Sequence, residues 1–118
     1  MAYDEHLADR IRMVFSDLHI QTEEKEMMGG LCFMVDDKMC VGVVKETLMA
    51  RIGPDIYREA LSRHGCREMD FTGRPMKGFV FVEPEAIDDD GDLFYWIQLC
   101  LDHNPHAKSS KRSNTLTR

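Results

Sequence analysis

The chain has 118 residues, 43% hydrophobic and 31% charged, which fits one globular domain large enough to bury its own core. No apolar run approaches the ~20 residues of a membrane-spanning helix, and the acidic start Met1-Ala2-Tyr3-Asp4-Glu5 is unlike a signal or transit peptide, so a cytoplasmic location is expected. The net charge of −6 is uneven: residues 105–118 carry Lys108, Lys111, Arg112 and Arg118 and no acid, which leaves −10 on residues 1–104 and argues against broad nucleic-acid binding by the folded part.

Residues 4–18 predict an amphipathic helix. Leu7, Ile11, Val14, Phe15 and Leu18 fall on one stripe of a 3.6-residue period. Asp4 and Glu5 stand where the positive end of the helix dipole favours anions. The charged stretch Thr22 to Met27 reads as an edge strand whose charges discourage sheet-to-sheet association. Gly29-Gly30 breaks the pattern.

Leu31–Val35 and Met39–Val44 read as two strands of a hairpin, joined by the polar loop Asp36-Asp37-Lys38. After a turn at Lys45-Glu46, Thr47–Ile52 reads as a further strand. Leu48, Ala50 and Ile52 alternate there with Thr47, Met49 and Arg51. Such short connections imply antiparallel neighbours. Gly53-Pro54-Asp55 is expected to open a second helix with Pro54 at its first position, with Ile56, Ala60 and Leu61 as its apolar face and Gly65 as its end.

Met69-Asp70-Phe71 begins the most informative segment. The connector from Thr72 to Gly78 holds two glycines, a proline, Arg74 and Lys77, and reads as a turn that presents positive charge. Phe79 to Val82 is continuously apolar and reads as a buried strand, ended by Glu83-Pro84. The run Asp88-Asp89-Asp90-Gly91-Asp92 fits an acid-rich helix start. It lacks the alternation and closing Glu of a calcium loop. Leu93, Trp96, Ile97, Cys100 and Leu101 then form a core stripe, with Trp96 as its anchor and Asn104-Pro105 as its stop. The expected domain is residues 1–104. Residues 105–118, poor in apolar side chains, are expected to be a disordered basic tail.

Cys32, Cys40, Cys66 and Cys100 form no C-x-x-C pair, so they read as small apolar core residues. Cys32 and Cys40 are placed to face each other across the hairpin. The His64-Gly65-Cys66 run is the one close His–Cys pair. It sits at a helix end and does not make a catalytic pair by itself. No cofactor, metal site or glycine-rich phosphate loop is expected.

Several segments together carry a family resemblance. Lys25 to Val35, Leu48 to Pro54, Tyr57 to Leu61, and Met69 to Val82 with Trp96 downstream closely resemble the N-terminal domain of the TfoX/Sxy family, over roughly residues 3–103. The resemblance implies an α+β sandwich: one antiparallel sheet of five or six strands with helices, in the order α-β(3-4)-α-β(2)-α, similar to secretion-chaperone-like folds. It also implies kinship with regulators of natural competence, thought to assist a cyclic-AMP-responsive activator. The longer competence regulators carry a second, helical C-terminal domain. A stand-alone N-terminal domain is expected here.

The expected function is therefore a non-enzymatic regulatory or protein-interaction domain. Its partner would be a protein, such as part of the transcription machinery, or a second copy in a dimer, with no membrane and no direct nucleic-acid contact. The alternative is a small-anion-binding domain or cryptic enzyme using Arg51, Arg74 and Lys77. Those three cations either converge on a carboxylate or phosphate or pair with native acids such as Asp70 and Glu68 to hold the turn.

Overall fold

The computed structural model describes residues 3–27, 29–70 and 75–107. The first helix, α1 (Glu5–Asp17), begins where Asp4 accepts a hydrogen bond from the His6 amide through Oδ1 at 2.9 Å. That side chain satisfies one of the orphan donors of the first turn. Leu7, Ala8, Ile11 and Phe15 form its buried face.

Four strands follow: β1 (Glu23–Met27), β2 (Gly30–Val35), β3 (Lys38–Val44) and β4 (Thr47–Arg51). A short helix, α2 (Tyr57–Leu61), separates them from β5 (Cys66–Asp70) and β6 (Pro75–Val82), and the long helix α3 (Asp90–His103) comes after. The six strands form one antiparallel sheet in the order β1-β2-β3-β4-β6-β5. The protein is α+β, with the expected order of helices and strands.

The hairpin between β2 and β3 turns on two residues, Asp36 and Asp37, with φ of 53° and 65°. Two successive left-handed residues give the mirror-image turn whose twist matches the strands. Lys38 consequently belongs to β3, opposite Val35, and not to the loop. Strand β1 is exposed along its whole length and forms one edge of the sheet, where its charges oppose further strand pairing. Arg12 of α1 holds it, donating to Glu24 at 2.7 Å and 2.8 Å.

Three expectations need correction. Pro54 is not the first residue of a helix: α2 begins at Tyr57, and Pro54 accepts the Tyr57 amide at 3.4 Å from the bend before it. The connector after Asp70 is shorter than expected, because Pro75, Met76, Lys77 and Gly78 already belong to β6. A proline is tolerated as the first residue of a strand. Finally, Cys32 and Cys40 do not face each other. Cys32 lies opposite Gly42, and the register shifts after Phe33, which sends the two thiols to opposite faces.

All three helices cover the same face of the sheet. The main core joins Leu7, Ile11 and Phe15 of α1 and Leu93, Trp96, Ile97 and Cys100 of α3 to Phe33, Val41, Leu48, Ala50, Val80 and Val82 of the strands. Trp96 is 3% exposed and is the expected anchor of α3. The strands' other side chains form a second, smaller cluster of Cys32, Met34, Met39, Met49 and Met69, flanked by Phe79 and Phe81. On that side the guanidinium of Arg67 lies 4.7 Å from the Phe81 ring centre and that of Arg51 lies 5.2 Å from the Phe79 ring centre. Phe79 and Phe81 are thus half-buried beneath cations, while Val80 and Val82, which alternate with them, are fully buried.

The described chain continues beyond α3 through a 3-10 turn, Asn104–His106. Asn104 is buried, donates to the Val35 carbonyl at 3.3 Å and accepts from Lys38 Nζ at 3.2 Å. This pins the end of α3 to the β2–β3 hairpin. Residues 108–118, which include most of the basic stretch, lie outside the described residues.

Candidate anion-binding site

Strand β4 ends at Arg51, and the chain then leaves the sheet through Ile52 and Gly53. The Ile52 and Gly53 amides both donate to the Gly78 carbonyl, at 2.9 Å and 3.0 Å. That bifurcated acceptor fastens the exit of β4 to the start of β6. Gly53 has φ of 88°, a conformation that glycine adopts without a Cβ penalty. It also has no side chain to collide with the end of α3. A Cβ at residue 53 would stand 2.8 Å from Cγ and Cε1 of His103.

The crossing leaves a hollow of about 210 Å³. Arg51, Lys77, Phe79, His103 and His106 line it, together with the backbone around Gly53, Pro54 and Gly78. Arg51 arrives from β4, Lys77 from β6, His103 from the last turn of α3 and His106 from the 3-10 turn. Lys77 and His106 are exposed, and Arg51 and His103 are half-buried. The Arg51 guanidinium stacks on Phe79 and its Nη1 lies 3.5 Å from the Met39 carbonyl. Burial lowers its pKa from the usual arginine value, yet an arginine stays charged at neutral pH. A wider hollow adjoins this one, lined by Asp55, Asp102, Leu99 and the same two histidines.

The electrostatics at His103 register the convergence of charge. Its pKa falls below the ordinary histidine value because burial disfavours the imidazolium, and because Arg51 and His106 repel it. Asp55 opposes the shift. The imidazole is therefore mostly neutral at pH 7, with a proton to accept if an anion enters.

Arg51 and Lys77 thus stand in one hollow, while Arg74 lies outside the described residues. His103 and His106, which read as scattered surface residues in the sequence, belong to the same hollow. A signal for His103 was present: it follows Cys100 by three residues, the next step of the α3 stripe. The His64–Cys66 pair carries no catalytic geometry. His64 faces Glu85 at 3.8 Å, and burial pushes the Cys66 thiol up to about 11, away from the reactive thiolate. The acidic run before α3 has structural partners. Asp89 accepts the Gly91 amide as the helix cap, and Asp90 pairs with Arg10 at 3.1 Å.

A helix-backed antiparallel sheet with a cationic hollow at the exit of its central strand defines a small α+β domain. The TfoX N-terminal domain model matches residues 15–104. The chain belongs to that family. No curated protein and no solved structure matches it.

Proposed function

We propose that this chain is a non-enzymatic regulatory domain that recognises an acidic segment of a partner protein in the hollow between Arg51, Lys77, His103 and His106. One observation carries the reading. Four cationic or protonatable side chains from four separate elements line a single hollow in a chain whose net charge is −6. Convergent cations around half-buried walls favour a carboxylate or phosphate, because the reduced dielectric strengthens each pairing. The family relationship supports a regulatory role, with the transcription machinery of the cytoplasm as the source of the partner.

Titration of the full chain with a Glu/Asp-rich peptide and with inorganic phosphate, followed by amide NMR, tests this. The peptide should shift the Lys77, His103 and Ala107 resonances. Lys77→Ala should weaken it several-fold without lowering the melting temperature. If phosphate alone binds as tightly as the peptide, a small-anion-binding domain replaces the protein-recognition reading. If neither ligand shifts these residues, the hollow is not an anion site.

A further inference from the structure

Among the described residues, three large apolar side chains are exposed: Met13 at 64%, Met27 at 37% and Phe94 at 42%. Two of them stand together. Met13 of α1 and Phe94 of α3 flank a groove of about 380 Å³ whose other walls are Arg10, Val14, Asp17, Asp90 and Leu93. Leu93 is fully buried and Val14 half-buried, so the floor is continuous with the main core. Neither Met13 nor Phe94 is needed to close that core, since Ile11, Phe15, Leu93 and Ile97 already seal the α1 and α3 faces.

The groove has a definite charge. Arg10 donates through Nη2 to the Ile87 carbonyl at 2.7 Å, to the Asp88 carbonyl at 3.2 Å and to Asp90 Oδ1 at 3.1 Å. These bonds tie the loop before α3 onto α1 at one wall of the groove. They also commit the one cation in the lining. Asp17 stands on the α1 side and Asp90 on the α3 side, and Asp88 and Asp89 lie exposed in the loop just before α3. The rim is acidic around an apolar floor.

We infer that the α1–α3 groove docks a short amphipathic helix of a partner protein that carries apolar anchors flanked by lysine or arginine. Apolar anchors at helical spacing fill such a groove between Met13 and Phe94, and the flanking cations meet the acidic rim. The same charges disfavour the other occupants. A second copy would bring two acidic rims face to face, because a two-fold interface pairs a patch with itself. Nucleic acid and anionic lipid headgroups are repelled for the same reason. The chain's own residues 108–118 are basic, but Leu116 is their one large apolar side chain, too few for two anchors. The groove is lined by none of the residues of the anion site, so either proposal stands or falls without the other.

The probe is a synthetic amphipathic helix of leucine and lysine, with the leucine and glutamate counterpart as control, titrated into the full isotope-labelled chain. The lysine peptide should shift Met13, Val14, Leu93 and Phe94, and the glutamate peptide should leave them unmoved. The Met13→Ser, Phe94→Ser double variant should keep the parent's melting temperature and bind at least about tenfold more weakly, as expected when central anchors are removed. Shifts spread over the acidic surface, an affinity unchanged in the double variant, or no binding at all would overturn the inference. So would a parent dimer that the double variant disperses, since the groove would then be an interface between copies.

Discussion

Gly53 and His103 occupy one space: the His103 imidazole lies where a side chain at residue 53 would stand. A Cβ there meets the ring, and residue 53 has φ of 88°, so substitution faces steric and backbone costs together. Gly53→Ala should destabilise the protein by about 1–3 kcal/mol, the range for a side chain forced into a left-handed conformation with a clash. Chemical denaturation measures this. The same variant should weaken anion binding by displacing His103. A variant as stable as the parent would mean that His103 swings away freely and is not a wall of the hollow.

His103 also makes the protein respond to pH. Its folded-state pKa lies below the unfolded value, so the fold favours the neutral ring. The stability linked to it is complete above the unfolded value near ~6.5 and is lost as pH falls below that value towards the folded one. Melting curves across that interval should show a loss in the parent that shrinks in His103→Asn. Anion affinity should move the opposite way, because a bound anion favours the imidazolium. Sulfate, whose charge is constant over this range, should bind more tightly as the solution is acidified.

Tyr57 offers a substitution that should raise stability. It is 7% exposed, and its hydroxyl has no hydrogen-bond partner among the described residues. A buried hydroxyl without a partner costs about 1–3 kcal/mol of desolvation. Tyr57→Phe keeps the ring between α2 and the sheet and removes that cost. The melting temperature should rise or stay level. A clear drop would reveal a partner for the hydroxyl.

The cysteines should divide by burial. Cys32, Cys40 and Cys100 are buried, and Cys66 is half-exposed. Burial pushes Cys32 and Cys66 up to about 11 and raises Cys100 well above its ordinary value, with Cys40 beside it adding to the rise. Thiolate is the reactive form, so alkylation at pH 7 should be slow throughout and should accelerate at alkaline pH, first at Cys66. Mass-resolved labelling with iodoacetamide checks the order. Rapid modification of Cys66 at neutral pH would contradict its apolar setting.

Most of the architecture was legible in the chain. The stripes of α1 and α3, from Leu7 to Phe15 and from Leu93 to Cys100, follow from helical periodicity alone and mark the surfaces that became the main core. The alternation of Leu48 and Ala50 with Met49 and Arg51 likewise put Arg51 on the face away from the helices. What failed were local boundaries. Two carboxylates, Asp36 and Asp37, took left-handed conformations to make a two-residue turn. One bulge after Phe33 then separated Cys32 from Cys40. Neither event leaves a mark in hydrophobic pattern, because each is set by the strand twist and register that the whole sheet adopts.

The candidate site divides in the same way. The sequence by itself determined that Arg51 would end a strand off the core face, and that Lys77 would lie just ahead of the apolar run Phe79–Val82, but not that the strand already begins at Pro75. Periodicity and composition act over a few residues and fix such placements. Tertiary structure alone decided that Arg51 and Lys77 share a hollow with His103 and His106, 26 or more residues further along the chain. That meeting depends on β6 pairing with β4, on the Gly78 carbonyl binding the amides of residues 52 and 53, and on Asn104 anchoring the end of α3 to Val35. These are long-range bonds, and their partners are chosen by how the layers pack and not by any neighbour in sequence.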